Sequence, residues 1–369
     1  MRKPEDELTD LEQRGLIRGL RPIRNPDLPT VELQGRKLIN FSSNDYLGLS
    51  QHPTLIEAAT KALQDYGTGS TASRLICGSL DIFHQLEEKI ATLKKTEAAL
   101  TFANGFSTAM GIIPAIIGKS DTVILDKLAH ACLIDAAKLS GATLRIFPHN
   151  DLNKLEKLLT SSRGRTLIVT ESVFSMDGDL CPLSEIVKLK EKHGALLFLD
   201  EAHAIGVLGQ TGQGLAEKLS LQDQVDFQMG TLGKSLGSAG GYLAASRPWI
   251  DLFINKARSL VYSTAPPPSQ AAASLAALSL LNSPEGIARR DRLKTYSDSF
   301  GSPTPIIPKI IGENRSALAA SGSLLKSGFL VPAIRYPTIP RGTARLRITL
   351  SAAHSTENLS DLKEALALL

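Results

Sequence analysis

Three side chains that could share one reaction, Asp200, His203 and Lys234, lie close together in the sequence. Asp200 ends the apolar run 195–199, and ligands of a parallel sheet bind at the carboxyl ends of its strands. Lys234 lies in the glycine-rich stretch 231–237, where the backbone can approach a ligand closely. A lysine amine condenses with aldehydes, and a carboxylate keeps a pyridine nitrogen protonated so that the ring accepts electrons. Together these residues predict a site for pyridoxal 5′-phosphate.

This cofactor also needs a place for its phosphate and a partner for its ring. Backbone N–H groups at the start of a helix bind phosphate, and Gly105 and Phe106 follow the strand-like run 98–102. His130 follows a second change from strand to helix and could stack on the ring. Taken singly, His130 would more simply be a partly buried structural histidine, and Asp200 a cap at a strand end. The combination favours the cofactor site.

Three short motifs match other classes of enzyme, but each lacks its structural context. Residues 200–203 read Asp-Glu-Ala-His, as in a DEAH-type ATPase, yet the Gly-Lys-Ser at 233–235 lies downstream and lacks the first glycine of a phosphate loop. The segment 233–237 also fits a hydrolase nucleophile elbow, for which His354 is the one downstream histidine. Residues 67–72 fit a dinucleotide fingerprint but follow a predicted helix. A DEAH-type ATPase is kept as the alternative from another class.

Apolar strands alternate with helices over most of the chain, and helical spacing is clearest at 81–95. The predicted strands of the central part are 98–102, 122–125, 143–147, 166–170, 195–199, 225–229 and 241–245. Continuous apolar strands separated by helices indicate an α/β fold with a mainly parallel sheet covered on both faces. After the prolines at 266–268, predicted strands at 305–311, 329–334 and 345–350 and a final helix at 358–369 indicate a smaller α+β domain.

Composition narrows the class of protein further. Of 369 residues, 43% are hydrophobic and 21% charged, and the net charge of +4 is too small to indicate nucleic-acid binding. Three widely spaced cysteines argue against a disulfide framework or a structural metal site and fit the cytoplasm. The longest apolar stretch, 109–118, is too short to span a membrane. We therefore expect a soluble cytoplasmic protein with no nucleic-acid or membrane partner and no metal.

With these motifs in this order, the sequence resembles the α-oxoamine synthases, pyridoxal-phosphate-dependent enzymes with the aspartate-aminotransferase fold. The resemblance extends from about Leu16 to the last residue. The segments that carry it are 40–49, 170–179, 200–203 and 231–234. It implies fold type I: a large domain at 38–262 with a mainly parallel seven-stranded sheet, a small α+β domain at 263–369, and an N-terminal segment at 1–37 that joins the small lobe.

The resemblance also implies roles within the cofactor site. Lys234 would carry the cofactor and move the α-proton of the substrate, Asp200 would pair with the pyridine nitrogen, and His130 would stack on the ring. His203 and Ser175 would hydrogen-bond the phenolic oxygen of the ring. The implied phosphate contacts are the amides of Gly105 and Phe106, Thr231, and Thr264 reaching over from the second subunit of a homodimer, whose active sites would lie at the interface.

Substrates follow from the same resemblance. Asn44 and Arg335 would bind the amino-acid carboxylate, and Arg18 would contact the acyl substrate. The segment 333–347 resembles the branch that condenses L-alanine with a pimeloyl thioester, carried by coenzyme A (pimeloyl-CoA) or acyl carrier protein, and releases CO2 in biotin biosynthesis. Tyr336 departs from that branch, whose members commonly have proline at this position, whereas glycine-using relatives commonly have tyrosine. A glycine-using enzyme of the 2-amino-3-oxobutyrate CoA ligase or 5-aminolevulinate synthase type is therefore the alternative within the family.

Overall fold

The structure, a computed structural model, describes residues 3–369, which divide into two compact units. The larger unit comprises Leu49–Ser175 and Asp179–Asp291. The smaller unit comprises the described part of Met1–Gly48, together with Met176–Gly178 and Arg292–Leu369. In the described residues, no helix is both long enough and apolar enough to cross a membrane.

The elements are numbered in chain order. The helices are α1 (Pro4–Gln13), α2 (Pro53–Tyr66), α3 (Asp81–Lys94), α4 (Gly105–Ile116), α5 (Ala131–Leu139), α6 (Leu152–Thr160), α7 (Leu183–His193), α8 (Leu215–Lys218), α9 (Arg247–Lys256), α10 (Arg258–Val261), α11 (Pro268–Leu280), α12 (Pro284–Ser299), α13 (Asn314–Lys326) and α14 (Thr356–Ala367). The strands are β1 (Ile23–Asp27), β2 (Thr30–Leu33), β3 (Arg36–Asn40), β4 (Ala98–Phe102), β5 (Thr122–Asp126), β6 (Thr143–Phe147), β7 (Thr166–Glu171), β8 (Leu196–Asp200), β9 (Phe227–Thr231), β10 (Gly241–Ala245), β11 (Ile306–Gly312), β12 (Phe329–Leu330), β13 (Ala333–Ile334) and β14 (Ala344–Thr349).

The larger unit is built on one seven-stranded sheet in the order β4-β10-β9-β8-β7-β5-β6. Strands β5 to β9 pair in parallel, whereas β10 is antiparallel to both of its neighbours, β4 and β9. The predicted mainly parallel sheet is confirmed, and each predicted strand is present with ends that shift by at most two residues. Strands such as β5 and β7 contain continuous apolar runs because helices cover both faces of the sheet. Side chains that point to either face are therefore buried.

Two groups of helices cover the sheet of the larger unit. Helices α4, α5 and α9 contribute Ile112, Leu133 and Phe253 to the main apolar core, where burial of each such side chain is worth roughly 1.5–3 kcal/mol. Helix α11 packs against α2 and α3. These contacts group 263–291 with the larger unit, whereas sequence analysis assigned that stretch to the small domain.

The smaller unit contains two sheets, β1-β2-β3-β12 and β11-β14-β13. The predicted strand 329–334 is divided between them: β12 pairs with β3, and β13 pairs with β14. Pro332 lies at the division and has no N–H for a sheet hydrogen bond. Pairing through β3 also places residues 38–48 in this unit rather than in the large domain.

Candidate active site

A cavity of about 170 Å³ lies in the larger unit where β7, β8 and β9 end. Among the residues that line it are Gly105, Phe106, His130, Asp200, His203, Thr231 and Lys234. All of these were predicted to hold the cofactor from motifs that are far apart in the sequence. They meet because neighbouring parallel strands end at the same edge of the sheet.

Lys234 lies in a tight turn between β9 and β10. Gly237, in the same turn, has φ +61°, and a Cβ atom there would lie 2.5 Å from the backbone carbon of Leu49. Only glycine fits that position, because any side chain would collide with the backbone. The turn brings Lys234 Nζ to 2.7 Å from His203 Nε2. At this distance the two nitrogens can pass a proton between them.

Asp200 is a buried carboxylate of the cavity, with 5% of its surface exposed. One oxygen accepts the Ala202 N–H at 2.8 Å. Burial raises the pKa of Asp200, although the charge of Lys234 opposes this effect. A cationic N–H donor in the cavity would favour the ionised carboxylate, and a protonated pyridine nitrogen is such a donor. The side chains present therefore fit pyridoxal phosphate.

His130 is fixed by Glu171 and Cys132. Its backbone N–H donates to a Glu171 carboxylate oxygen at 2.6 Å, and its Nδ1 accepts the Cys132 N–H at 3.2 Å. Because Nδ1 accepts a hydrogen bond, the proton of the neutral ring is on Nε2. Burial lowers the pKa of His130, so the ring is neutral at physiological pH. A neutral ring with a fixed orientation is suited to stacking on an aromatic ligand.

Glu171 and Cys132 also line the cavity, although neither was among the predicted site residues. Burial, and the nearby charge of Asp200, raise the pKa of Glu171 well above its usual range. The available signal was its position, because Glu171 ends an apolar run as Asp200 does. Burial also raises the pKa of the Cys132 thiol, so this group stays protonated and is a weak nucleophile.

The start of α4 forms the predicted phosphate site. The Asn104 side-chain oxygen caps this helix by accepting the Ser107 N–H at 2.8 Å. The first amides of a helix have no acceptor within the helix, so those of Gly105 and Phe106 can hold an anion. A Cβ atom at Gly105 would lie 3.2 Å from Met229 Cε, and glycine therefore keeps this end of the helix open to a ligand.

The remaining predicted cofactor residues have other contacts. The Thr231 hydroxyl lines the cavity but donates to a backbone carbonyl at 2.8 Å. Ser175 is buried, and its backbone hydrogen-bonds to Glu171. Thr264 is exposed and forms a short β-bridge with Ser73. In the described chain, Ser175 and Thr264 do not line the cavity, and their roles toward the cofactor stay predictions.

The predicted substrate residues belong to the smaller unit. Arg335 donates to the backbone carbonyls of Gly15 and Ile17, the second at 3.3 Å. Arg18 is exposed and donates to the Thr338 hydroxyl at 3.0 Å. These bonds attach the N-terminal segment to the turn after β13. The guanidinium of Arg335 therefore donates to backbone carbonyl oxygens in this structure.

A second arginine of the smaller unit, Arg347, was not among the predicted site residues. It is 4% exposed, and its Nη1 donates to Asn44 Oδ1 at 3.1 Å and to the Thr349 hydroxyl at 2.9 Å. The Tyr46 hydroxyl lies 3.2 Å from the same Asn44 oxygen. A buried guanidinium whose orientation is fixed by neighbours is well suited to bind a carboxylate.

Comparison with known proteins identifies similar sequences over almost the whole chain. The family model for aminotransferase class I and II matches residues 36–366. Curated relatives named 8-amino-7-oxononanoate synthase include one from Geobacter sulfurreducens, which is 47% identical over 98% of this chain and 95% of its own length. Another, from Beijerinckia indica, is 43% identical over 98% of this chain and 95% of its own length.

Solved structures share the fold. A serine palmitoyltransferase from S. paucimobilis with bound PLP superposes with a TM-score of 0.92 at 27% identity, covering 99% of this chain and 96% of that chain. An 8-amino-7-oxononanoate synthase from Francisella tularensis superposes with a TM-score of 0.77 at 28% identity, covering 90% of this chain and 96% of that chain. Pyridoxal phosphate is thus the cofactor that both the fold and the cavity fit.

Proposed function

The chain belongs to the aminotransferase class I and II family, and from that premise we propose that it makes 8-amino-7-oxononanoate by condensing L-alanine with a pimeloyl thioester. It is a pyridoxal-phosphate-dependent acyltransferase. The thioester would be pimeloyl-CoA or pimeloyl-acyl carrier protein. One observation carries the proposal: the Lys234 amine, the buried Asp200 carboxylate and the start of α4 meet in a single cavity.

Each residue of the cavity has a task that its own contacts support. When bound, pyridoxal phosphate supplies an aldehyde that captures amines and a ring that accepts electrons from the α-carbon of the amino acid. Asp200 would accept the hydrogen bond of the ring nitrogen with the oxygen that does not bind the Ala202 N–H. The Gly105 and Phe106 amides would hold the phosphate, and the fixed ring of His130 would cover one face.

Proton transfer falls to Lys234. An amine removes a proton from carbon only when it is itself unprotonated, and His203 Nε2 at 2.7 Å gives Lys234 Nζ a partner for its proton. We propose that Lys234 Nζ takes the α-proton of alanine and returns a proton to the same carbon after CO2 has left.

We propose Arg347, oriented by Asn44, as the cation that binds the amino-acid carboxylate. A charged hydrogen bond is worth about 1.5–3 kcal/mol, so Arg347→Lys should raise the KM for alanine roughly 10- to 150-fold with less change in kcat. The matched variant Arg335→Lys should raise it less, because Arg335 donates to backbone carbonyls. Initial rates at saturating thioester measure both. A larger KM increase in Arg335→Lys would assign the carboxylate to Arg335, as the resemblance implied.

The substrates are tested by direct competition. With pimeloyl-CoA, the enzyme should use alanine in preference to glycine by roughly 10- to 200-fold, since one methyl group decides between them. Acetyl-CoA and succinyl-CoA should be poorer acyl donors than the pimeloyl thioester. The kcat/KM for each pair, measured by thiol release, gives the result. A preference for glycine with acetyl-CoA or succinyl-CoA would replace the proposed reaction by that of a glycine-using relative.

We also propose that the chain acts as a cytoplasmic homodimer. Ile76 and Tyr262 are exposed to 80% and 71% in the described chain, and they lie near the Ser73–Thr264 bridge in the sequence. Large apolar side chains on a surface favour burial against another protein. A second copy of the chain would cover them and bring Thr264 to the phosphate of its neighbour, as the resemblance implies.

A further inference from the structure

The sequence His149-Asn150-Asp151 follows β6 and takes no part in the site described above. His149 Nδ1 lies 3.1 Å from an oxygen of Asp126, the last residue of β5, and Nε2 lies 2.7 Å from an oxygen of Asp179. The imidazole thus joins the end of one strand to the loop after another. We call His149, Asp126 and Asp179 the His149 clamp.

Neighbouring groups hold the His149 clamp in place. The Asn150 N–H donates to the second Asp126 oxygen at 3.0 Å, and Asn150 Nδ2 donates to the Leu180 carbonyl at 3.2 Å. The Phe174 ring meets the imidazole edge-on, with 4.3 Å between ring centroids. These contacts leave the imidazole no freedom to rotate without breaking several bonds.

The clamp requires a charged histidine. Carboxylates only accept hydrogen bonds, so both ring nitrogens of His149 must carry protons to bond Asp126 and Asp179. Burial of the ring opposes its charge, but the hydrogen bonds and charges of Asp126 and Asp179 outweigh burial and raise the pKa of His149 to about 10. Asp126 is fully buried, whereas Asp179 is partly exposed.

Both segments joined by the clamp carry cavity residues. The chain after Asp126 leads in four residues to His130, and the chain before Asp179 leads back through Ser175 to Glu171. His130 and Glu171 are hydrogen-bonded to each other at 2.6 Å and line the cavity, so a shift of either segment moves that pair.

We propose that His149 is a positioning residue for the cofactor cavity: it holds 126–130 and 171–179 at a fixed spacing and so sets the orientation of His130 toward the bound cofactor. This inference rests on the proposed function. Displacement of a catalytic or contact group by about 1 Å can lower a reaction rate on the order of 100-fold. Loss of the His149 clamp, although remote from the cofactor, should therefore also change cofactor binding.

The test compares His149→Ala with Asp179→Asn and with a matched control, His193→Ala. His193 is another partly buried histidine of the larger unit, at the end of α7, and does not line the cavity. Apoenzyme is titrated with pyridoxal phosphate to obtain a dissociation constant, and circular dichroism of the bound chromophore reports its orientation. The expected result is about tenfold weaker binding and an altered dichroic band in His149→Ala, a smaller change in Asp179→Asn, and none in His193→Ala.

The outcomes separate the two proposals. Wild-type affinity and an unchanged dichroic band in both clamp variants, with only a lower melting temperature, would show a merely structural role and overturn the inference. Failure of the wild-type protein itself to bind pyridoxal phosphate would overturn the proposed function instead. Asp179→Asn keeps the test decisive if His149→Ala does not fold, because its partly exposed side chain remains an acceptor for His149.

The pH dependence of stability gives a second measurement. The pKa of His149 is raised in the folded chain. Its contribution to the free energy of unfolding is therefore fully present below the unfolded pKa of about 6.5 and is lost as pH rises through about 10. The charged groups facing the ring are Asp126 and Asp179. The stability difference between wild type and His149→Ala should therefore decline from pH 6.5 to 10. A difference independent of pH would contradict the doubly bonded cation.

Discussion

Lys234→Ala should lose at least about 10⁴-fold in kcat and still bind pyridoxal phosphate. A large loss is expected because, in the proposed mechanism, one amine would both carry the cofactor and transfer the proton, and general-base catalysis alone contributes up to about 10⁴-fold. Binding should persist because, in the proposed site, Asp200 and the start of α4 would hold the cofactor independently of Lys234. The variant should therefore separate covalent attachment from affinity.

Borohydride reduction measures that separation. It should fix the cofactor to the wild-type protein and leave it removable by dialysis from Lys234→Ala, and peptide mapping should find the label on Lys234. Lys127→Ala removes an exposed lysine just after β5 and should behave as wild type. A label on another lysine, or a kcat of Lys234→Ala that falls much less than the expected loss, would refute the assignment of Lys234.

Lys94→Met should lower the free energy of unfolding by about 3–5 kcal/mol, the usual loss when one partner of a buried ion pair is removed. Lys94 on α3 and Glu201 after β8 are in contact, and both side chains are fully buried. Lys94 Nζ also donates to the Gln213 carbonyl at 2.6 Å, and Glu201 accepts the Ala216 N–H at 3.0 Å. Without Lys94, the Glu201 carboxylate is left buried with no counter-ion.

Chemical denaturation of the holoenzyme, followed by far-ultraviolet circular dichroism, measures this loss. The double variant Lys94→Met/Glu201→Gln should recover much of it, because no uncompensated charge remains buried and the amide still accepts the Ala216 N–H. Lys61→Met breaks an exposed helical pair with Asp65 and should change stability little. Equal free energies of unfolding for Lys94→Met and Lys61→Met would contradict the expected contribution of the buried ion pair to stability.

Sequence reasoning found the large sheet and the cavity for the same physical reason. Strands covered on both faces are apolar throughout, and polar residues at their ends, such as Asp200, stand out against them. Strand β1 gave no such signal, because it is exposed along its whole length and contains Pro26. The predicted strand at 329–334 merged two short strands, because periodicity cannot show that Pro332 sends them to different sheets.

Residues that act through distant partners were beyond local reasoning. Lys94 and Lys95 are adjacent at the end of a helix, a pattern typical of exposed lysines. The partner of Lys94 is nevertheless Glu201, which lies 107 positions away in the sequence. Asn44 and Arg347 are 303 positions apart. Such contacts form only in the folded chain. Their contribution to stability therefore cannot be predicted from the spacing or the composition of the sequence.

The pairing of β4 with the antiparallel strand β10 determines when the large sheet can be completed during synthesis. Strand β4 is the first of the large sheet to leave the ribosome, and its partner in the sheet is β10, the last, with Ala98 paired to Ala245. During synthesis β4 therefore has no partner strand until the five strands between it and β10 in the sequence have been produced. Closure of the sheet is a late, long-range event, and long-range pairing of this kind is slow. The nascent chain thus presents an unpaired apolar strand while the roughly 140 residues between β4 and β10 are added, and an exposed strand of this kind is prone to aggregation.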